Sequence, residues 1–240
     1  MTRLALLACV LLLPTAAIAA DEPGPGVQAV TPTTSESIQA YTSQLLQLNQ
    51  INPAQNPLYT LGSRAISFRL LDQNRRALGK LSDITIGAGG ALESVQAQIM
   101  STGFDQELNF GVVAHNVTPE SDAYSVTLTR DQVEDNLPGF LAATESAAGD
   151  DDNGPITVQS LIGARVQNAK GSQIAIVDDV MIDDQQKMAV ALLLTLMGGS
   201  GQTTIAVPYR SAKVARTGPK ATVELTDEQA RVVTNYAPKR

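Results

Sequence analysis

The side chains best able to do chemistry are scarce in this sequence. It contains one histidine, His115, and one cysteine, Cys9. A catalytic histidine needs a nucleophile within reach and a carboxylate that orients its ring, and no such set is recognisable around His115. We therefore expect His115 to lie in a surface loop. A single histidine and a single cysteine also exclude most side-chain metal sites and most nucleophile–base pairs, which argues against an enzyme.

Carboxylates are the other groups that could bind a metal or transfer protons. Residues 150–154 read DDDNG and offer the oxygen ligands that Ca²⁺ prefers. The alternating acidic positions of a calcium loop and its later glutamate are missing, so we predict a solvated linker, with weak Ca²⁺ binding as the alternative. Turn chemistry explains the acids around residues 180–182, although a hydrolase with paired carboxylates remains a third hypothesis. These acids are Asp178, Asp179, Asp183 and Asp184.

Two glycine-rich segments, 87–90 and 198–201, are candidates for phosphate-binding loops. Neither is followed by the lysine of a P-loop, and neither begins an evident helix after a strand. We predict a hairpin turn at each of them, and we expect no cofactor.

The charge distribution is uneven along the 240 residues, whose net charge is −7. An acidic surplus argues against a nucleic-acid partner, because phosphates require a positive face. Residues 60–139 carry a net charge of −4 and residues 155–240 a net charge of +3. A run without any acid contains Arg210, Lys213, Arg216 and Lys220. This run predicts either a solvated strand edge or a docking face for an acidic protein partner or anionic lipid headgroups.

The N-terminus has the pattern of a secretory signal peptide. Arg3 precedes an apolar run over residues 4–13, and small residues follow up to Ala20. The apolar run is shorter than the ~20 residues that span a membrane, so we predict a signal over residues 1–19, cleaved after Ala19 or Ala20, with an uncleaved anchor as the rival. Because Cys9 lies within the signal, the exported chain has no disulfide. The expected location is the periplasm.

An internal repeat predicts two copies of one small domain. Segments 108–133 and 205–230 align without a gap at an offset of 97, and segments 78–84 and 174–180 align at an offset of 96. Residues 93–99, 124–128 and 221–225 alternate in polarity as half-buried strands do. Each copy ends in a capping-box pattern, Thr129 to Gln132 and Thr226 to Gln229, which predicts a short closing helix.

A polar, glutamine-rich helix is predicted before the first copy, over residues 35–48. It places four apolar residues on one stripe, which we interpret as an additional docking surface. These residues are Ile38, Tyr41, Leu45 and Leu48.

The second copy, roughly residues 160–232, resembles the PRC-barrel, a family named after the cytoplasmic domain of the photosynthetic reaction centre H subunit. The resemblance rests on the order of Ile162-Gly163-x-Arg165-Val166, a turn at Lys170-Gly171, the segment 174–180 with Asp179, a strand before Gly198-Gly199, the segment 205–209, and Leu225-Thr226-x-x-Gln229. The first copy is degenerate, since Gly111 replaces Pro208. The resemblance implies a small barrel used for protein contacts, with Asp179 and its counterpart Asp83 as structural acids.

The sequence therefore predicts an all-β fold of two tandem PRC-like barrels, each closing with a short helix, preceded by an N-terminal helix. The expected boundaries are 1–19 for the signal, 20–57 for the helix and linker, 58–140 for the first barrel, 141–155 for the acidic linker and 156–240 for the second barrel. The expected function is that of a non-catalytic adaptor in the cell envelope, with a protein partner at the basic run and only peripheral membrane contact. A periplasmic module that binds a small ligand or Ca²⁺ is the alternative.

Overall fold

The fold was analysed in a computed structural model, which describes residues 35–101, 104–148, 154–197, 203–216 and 218–236. All of the elements below belong to one unit, Thr34–Arg240. The predicted signal peptide, the acids of residues 150–152 and the glycine-rich segment 198–201 lie outside the described residues.

Most elements in these ranges are β-strands, with a few helices between them. The helices are α1 Ser35–Leu48, α2 Gly62–Ala65, α3 Arg130–Asp135, α4 Leu137–Ala148, α5 Val158–Leu161 and α6 Asp227–Asn235. The strands of the first part are β1 Tyr59–Leu61, β2 Arg69–Leu71, β3 Ala77–Ile86, β4 Leu92–Ser101, β5 Phe104–Gly111, β6 Thr118–Pro119 and β7 Ala123–Ser125. Those of the second part are β8 Arg165–Asn168, β9 Gln173–Asp183, β10 Met188–Leu196, β11 Thr204–Pro208, β12 Lys213–Arg216 and β13 Ala221–Leu225.

The strands form two mixed sheets with the same internal order. The first sheet runs β5-β4-β3-β2-β7-β6, and the second runs β11-β10-β9-β8-β13-β12 with β1 added beside β9. In each sheet one central pair is parallel, β2 with β7 and β8 with β13, and the other pairs are antiparallel. The prediction of a mostly β architecture is therefore confirmed.

Several local predictions are confirmed residue by residue. Helix α1 has the predicted bounds, and strand β13 coincides with the predicted alternation. Both capping boxes form, with Thr129 and Thr226 each accepting the amide of the glutamine three residues later. A third box, Thr157 with Ser160 at the start of α5, was not predicted, because serine is not the glutamate or glutamine of the usual pattern.

The predicted linker over residues 141–155 is wrong in its first part, where α4 continues to Ala148. The helix is held in place because Phe140 is buried and its ring lies 5.0 Å from that of Phe110 on β5. The hydroxyl of Thr144 also accepts the amide of Asn109 on β5 at 3.0 Å. Helix α4 thus covers the edge strand of the first sheet.

The predicted docking stripe on α1 is also wrong. Tyr41 and Leu45 are 4% and 0% exposed and belong to the main hydrophobic core, so they are not available to a partner. Helix α1 packs against β11, the edge strand of the second sheet. Just after the helix, the Asn49 side chain donates to the carbonyl of Ala206 at 2.8 Å and accepts its amide at 2.9 Å, as a neighbouring strand would.

Candidate functional site

The two acids singled out from the sequence each cap a helix that leads into the opposite sheet. Asp179 on β9 accepts the amide of Ser63 in α2 at 2.9 Å through Oδ1, and the Ser63 hydroxyl donates to Oδ2. Asp83 on β3 accepts the amide of Gln159 in α5 at 3.1 Å. Both amides belong to the second residue of their helix, where a free N–H needs an acceptor. The sequence predicted amide acceptance at a turn, but these helix amides lie 116 and 76 residues away along the chain.

The strands that precede these helices are exchanged in the same way. Thr60 on β1 pairs with Ile182 on β9, and Thr157 forms a bridge to Thr85 on β3. The two pairs are equivalent in the repeat, because Thr60 and Thr157 differ by 97 positions and so do Thr85 and Ile182. Ala91 and Met188, which are separated by this same offset, form a bridge with each other. The two sheets are therefore joined by equivalent segments that cross in both directions.

Burial sets the electrostatics of this junction. It raises the pKa of the Asp83 carboxyl above its ordinary value, against the lowering effect of hydrogen bonds from Thr157 and from the amides of Gln159 and Ile84. Burial away from water disfavours the charged carboxylate, whereas the hydrogen bonds donated to it favour the charged carboxylate. The arrangement is that of a helix cap, since each carboxylate accepts an amide of the first turn of a helix. No cluster of three or more metal-ligating residues occurs among the described residues.

Three members of the basic run are fixed in place by neutral groups of the chain. Arg210 donates from Nε to the carbonyl of Gly89 at 2.9 Å. Arg216 donates to the carbonyls of Gly218 and Pro155 at 3.0 and 2.9 Å.

The Lys220 ammonium donates to the carbonyls of Gln159 and Ile162, at 2.7 and 2.8 Å. No carboxylate lies within ion-pair distance of Arg210, Arg216 or Lys220 in the described part of the chain. Their geometry is therefore fixed, while no carboxylate of the described residues compensates their charges.

Lys213 is the member of the run that does have a carboxylate partner. Its ammonium lies 3.8 Å from Glu224 on β13, and its side chain is 72% exposed. An ion pair so exposed is weak. Lys213 and Arg216 begin and end the edge strand β12, whereas Arg210 lies before it, against the turn between β3 and β4. The run thus follows one strand edge and its two ends.

A polar cleft of about 620 Å³ lies where the two sheets meet. It is lined by residues 53–60 with Arg64, by residues 118–121 and by Asp184, Gln185 and Lys187. The Thr60 hydroxyl donates to one oxygen of Asp184 at 2.5 Å, and the other oxygen is buried without a hydrogen bond within the described residues. Burial raises the pKa of Asp184, and the nearby charge of Asp183 raises it further.

His115 departs from its prediction in one respect. It does lie in a loop, between β5 and β6, but its ring is half-buried against Phe110 and Phe140, with centroids 5.7 and 5.2 Å away. Burial lowers the pKa of His115. The sequence missed this because Phe140 was assigned no element.

Comparison with known families agrees with the second sheet. Residues 155–226 match the PRC-barrel domain, so a PRC-barrel domain is present in this part of the chain. The match includes α5 and strands β8 to β13 and ends at the capping threonine of α6. No curated protein matches the chain. No helix of the described ranges is long and apolar enough to cross a membrane.

Proposed function

We propose that this chain is an exported, non-catalytic adaptor built from two tandem PRC-like barrels, the first over residues 58–140 and the second over residues 156–240. Export is supported by the signal pattern of residues 1–19, which favours a periplasmic location. The likeness to the reaction centre H subunit belongs to this proposal as well. It supports a role in protein contacts and assigns no particular partner.

The tandem arrangement is supported by the identical strand order of the two sheets. Asp83 and Asp179 occupy equivalent positions in β3 and β9, and each caps the helix before the other sheet. Equivalent residues also occupy the covered edges, since Asn109 and Ala206 differ by 97 positions and the amide of each donates to a side-chain oxygen of a covering segment. A chance resemblance between two sheets would not reproduce these exchanged contacts.

The adaptor role is carried by one observation: Arg210, Arg216 and Lys220 are held in fixed positions and have no carboxylate partner among the described residues. Long cationic side chains normally lose rotamer freedom when they bind a partner. Here hydrogen bonds to backbone carbonyls already restrict them, so an anionic partner meets ordered cations. Complementary charge of this kind accelerates encounter and selects acidic partners.

Crosslinking in cells that export the protein tests this function. We expect a dominant envelope partner whose yield falls when Lys213→Glu reverses the charge at the exposed edge. Lys170→Glu is the matched control, because Lys170 also lies 3.8 Å from a carboxylate, Asp227, and is 77% exposed. Equal capture by both variants would show that the basic edge is not the contact surface, and a chain without any crosslinked partner would contradict the adaptor role.

The cleft between the sheets supports the alternative of a small-ligand module. Its volume of about 620 Å³ lies in the range of small-molecule sites, and Asp184 contributes a buried carboxylate oxygen that lacks a partner among the described residues. A ligand that binds only the native state raises the melting temperature. An increase with Ca²⁺ or with small amines, abolished by Asp184→Asn, would favour this module over the adaptor.

A further inference from the structure

The four edges of the two sheets are not equally protected. The outer strand β11 is satisfied by the Asn49 side chain at Ala206, and the outer strand β5 is covered by α4. The edge strand β6 ends at Pro119, which has no N–H to offer. Covering helices and prolines are the usual means of keeping a strand edge from pairing with another chain.

The remaining edge, β12, has none of these protections within the described residues. Among the described strands, β12 is hydrogen-bonded to β13 on one side and has no strand on the other. Its four residues, Lys213–Arg216, contain no proline and alternate between exposed and half-buried. An edge of this kind presents unpaired N–H and C=O groups to solvent.

The register shows which backbone groups face outward. Arg216 pairs with Ala221 on β13 as Pro119 pairs with Tyr124 on β7. A proline is tolerated there because the next residue, Glu120, makes the hydrogen bond back to the partner strand. At the equivalent position in β12, the amide of Arg216 therefore points away from β13, and by the two-residue period so does that of Val214.

The side chains of β12 specify what would pair with it. Lys213 and Ala215 lie on the exposed face of the strand, whereas Val214 packs against the core and Arg216 shares its face. Cations therefore stand at the first and fourth positions, with small or apolar side chains between them. A strand with acids three residues apart would place a carboxylate opposite each cation, and this spacing is the same in the parallel and the antiparallel direction.

We propose that β12 accepts an extended, acidic segment of a protein partner as an additional strand of the second sheet. The inference rests on the adaptor function proposed above and identifies its contact as β-strand addition, in which main-chain hydrogen bonds supply affinity and alternate side chains supply specificity. The fixed cations Arg210 and Lys220 flank the strand and extend the positive edge beyond its two ends.

A synthetic peptide with the central sequence Asp-Val-Thr-Glu, flanked by threonines, tests the proposal in the full chain by fluorescence anisotropy. We expect binding that weakens as salt is added, because exposed charges are screened. A peptide of the same sequence with N-methylated backbone amides keeps every charge but cannot pair as a strand, and its affinity should fall by about tenfold or more. Equal binding of the two peptides would overturn the proposal.

Two substitutions at one position separate the backbone from the charge. Arg216→Gln removes a cation and keeps the amide, so we expect a loss of about threefold. Arg216→Pro removes both the cation and the amide, and Pro119 shows that a proline is accommodated at the equivalent position of β6. This variant should bind about tenfold or more weakly than Arg216→Gln. Lys170→Gln changes the net charge equally and should leave the affinity unaltered. Circular dichroism melting verifies that each variant is folded.

Hydrogen exchange of the native chain provides a readout that needs no variant. The bound peptide should protect the amides of Val214 and Arg216, and unchanged exchange there would overturn the proposal. Failure of all acidic peptides would also overturn it, whereas the adaptor function fails separately, when no partner is crosslinked to the exported chain. Flotation with phosphatidylglycerol vesicles that depends on Arg216, without peptide binding, would assign this edge to lipid headgroups instead.

Discussion

Removal of the Asp83 carboxylate tests whether the exchanged caps stabilise the fold. In Asp83→Ala the amides of Ile84 and Gln159, which lie 2.8 and 3.1 Å from Oδ1, lose their acceptor. Leaving a buried donor unsatisfied costs about 1–3 kcal/mol, and the relief of a buried charge offsets part of this. We expect the free energy of unfolding to fall by about 2 kcal/mol at pH 7.

Asp83→Asn separates the hydrogen bonds from the charge, because its amide oxygen can still accept both N–H groups. Burial raises the pKa of Asp83, so the native state binds protons more readily than the unfolded state. At pH 7 the charged form therefore carries a burial penalty, which disappears as the pH falls through the raised pKa. We expect Asp83→Asn to be at least as stable as the wild type at pH 7, with an advantage that shrinks on acidification.

Urea unfolding at pH 7 and at pH 4, followed by circular dichroism, measures both effects. Asp178→Ala is the control, since this carboxylate, next to the other capping acid Asp179, is exposed and its removal should change stability by less than about 0.5 kcal/mol. The cross-capping interpretation is refuted if Asp83→Ala is as stable as the control, or if Asp83→Asn is as unstable as Asp83→Ala.

Three further predictions concern the packing around this junction. Gly90→Ala should lower the free energy of unfolding by about 3 kcal/mol and Gly89→Ala by about 1 kcal/mol, because both residues have positive φ but only at Gly90 would a Cβ meet a backbone oxygen, at 2.5 Å. Equal melting temperatures of the two variants would contradict this. Asn49→Ala should lose about 2 kcal/mol and promote self-association through the edge at Ala206, whereas a monomer of native stability by gel filtration and urea unfolding would not fit. Tyr124→Phe should preserve stability in urea, because the hydroxyl is buried without a hydrogen bond in the described ranges; a loss above about 1 kcal/mol would reveal a partner.

Local signals were sufficient for many elements of the fold. The helix over residues 35–48 and the caps at Thr129 and Thr226 depend on residues within one or two turns of each other. Strand β13 is defined by its own alternation of buried and half-buried residues. Short-range patterns of this kind can be read from one sequence, because the interactions that cause them are local.

The exchanged segments could not be predicted in this way. Helix α2 is only four residues long, and Leu61 at its N-cap makes no side-chain hydrogen bond. Its capping acid, Asp179, lies 116 residues later in the chain. The basic run was visible as a charge pattern, but its partners are backbone carbonyls, which every residue possesses. Sequence could therefore give the positions of the cations and not the reason that they are held in place.

The distance between α2 and its cap bears on how the chain folds as it is made. Residues 59–63 emerge from the ribosome early, but their partners at 179–183 are synthesised more than a hundred residues later. Until then β1 has no strand to pair with and the first turn of α2 has no acceptor. The pairing of β1 and the capping of α2 thus require the second sheet, and contacts so remote in sequence slow folding. Under the export proposed above, this delay would favour the unfolded state in which a chain crosses the membrane.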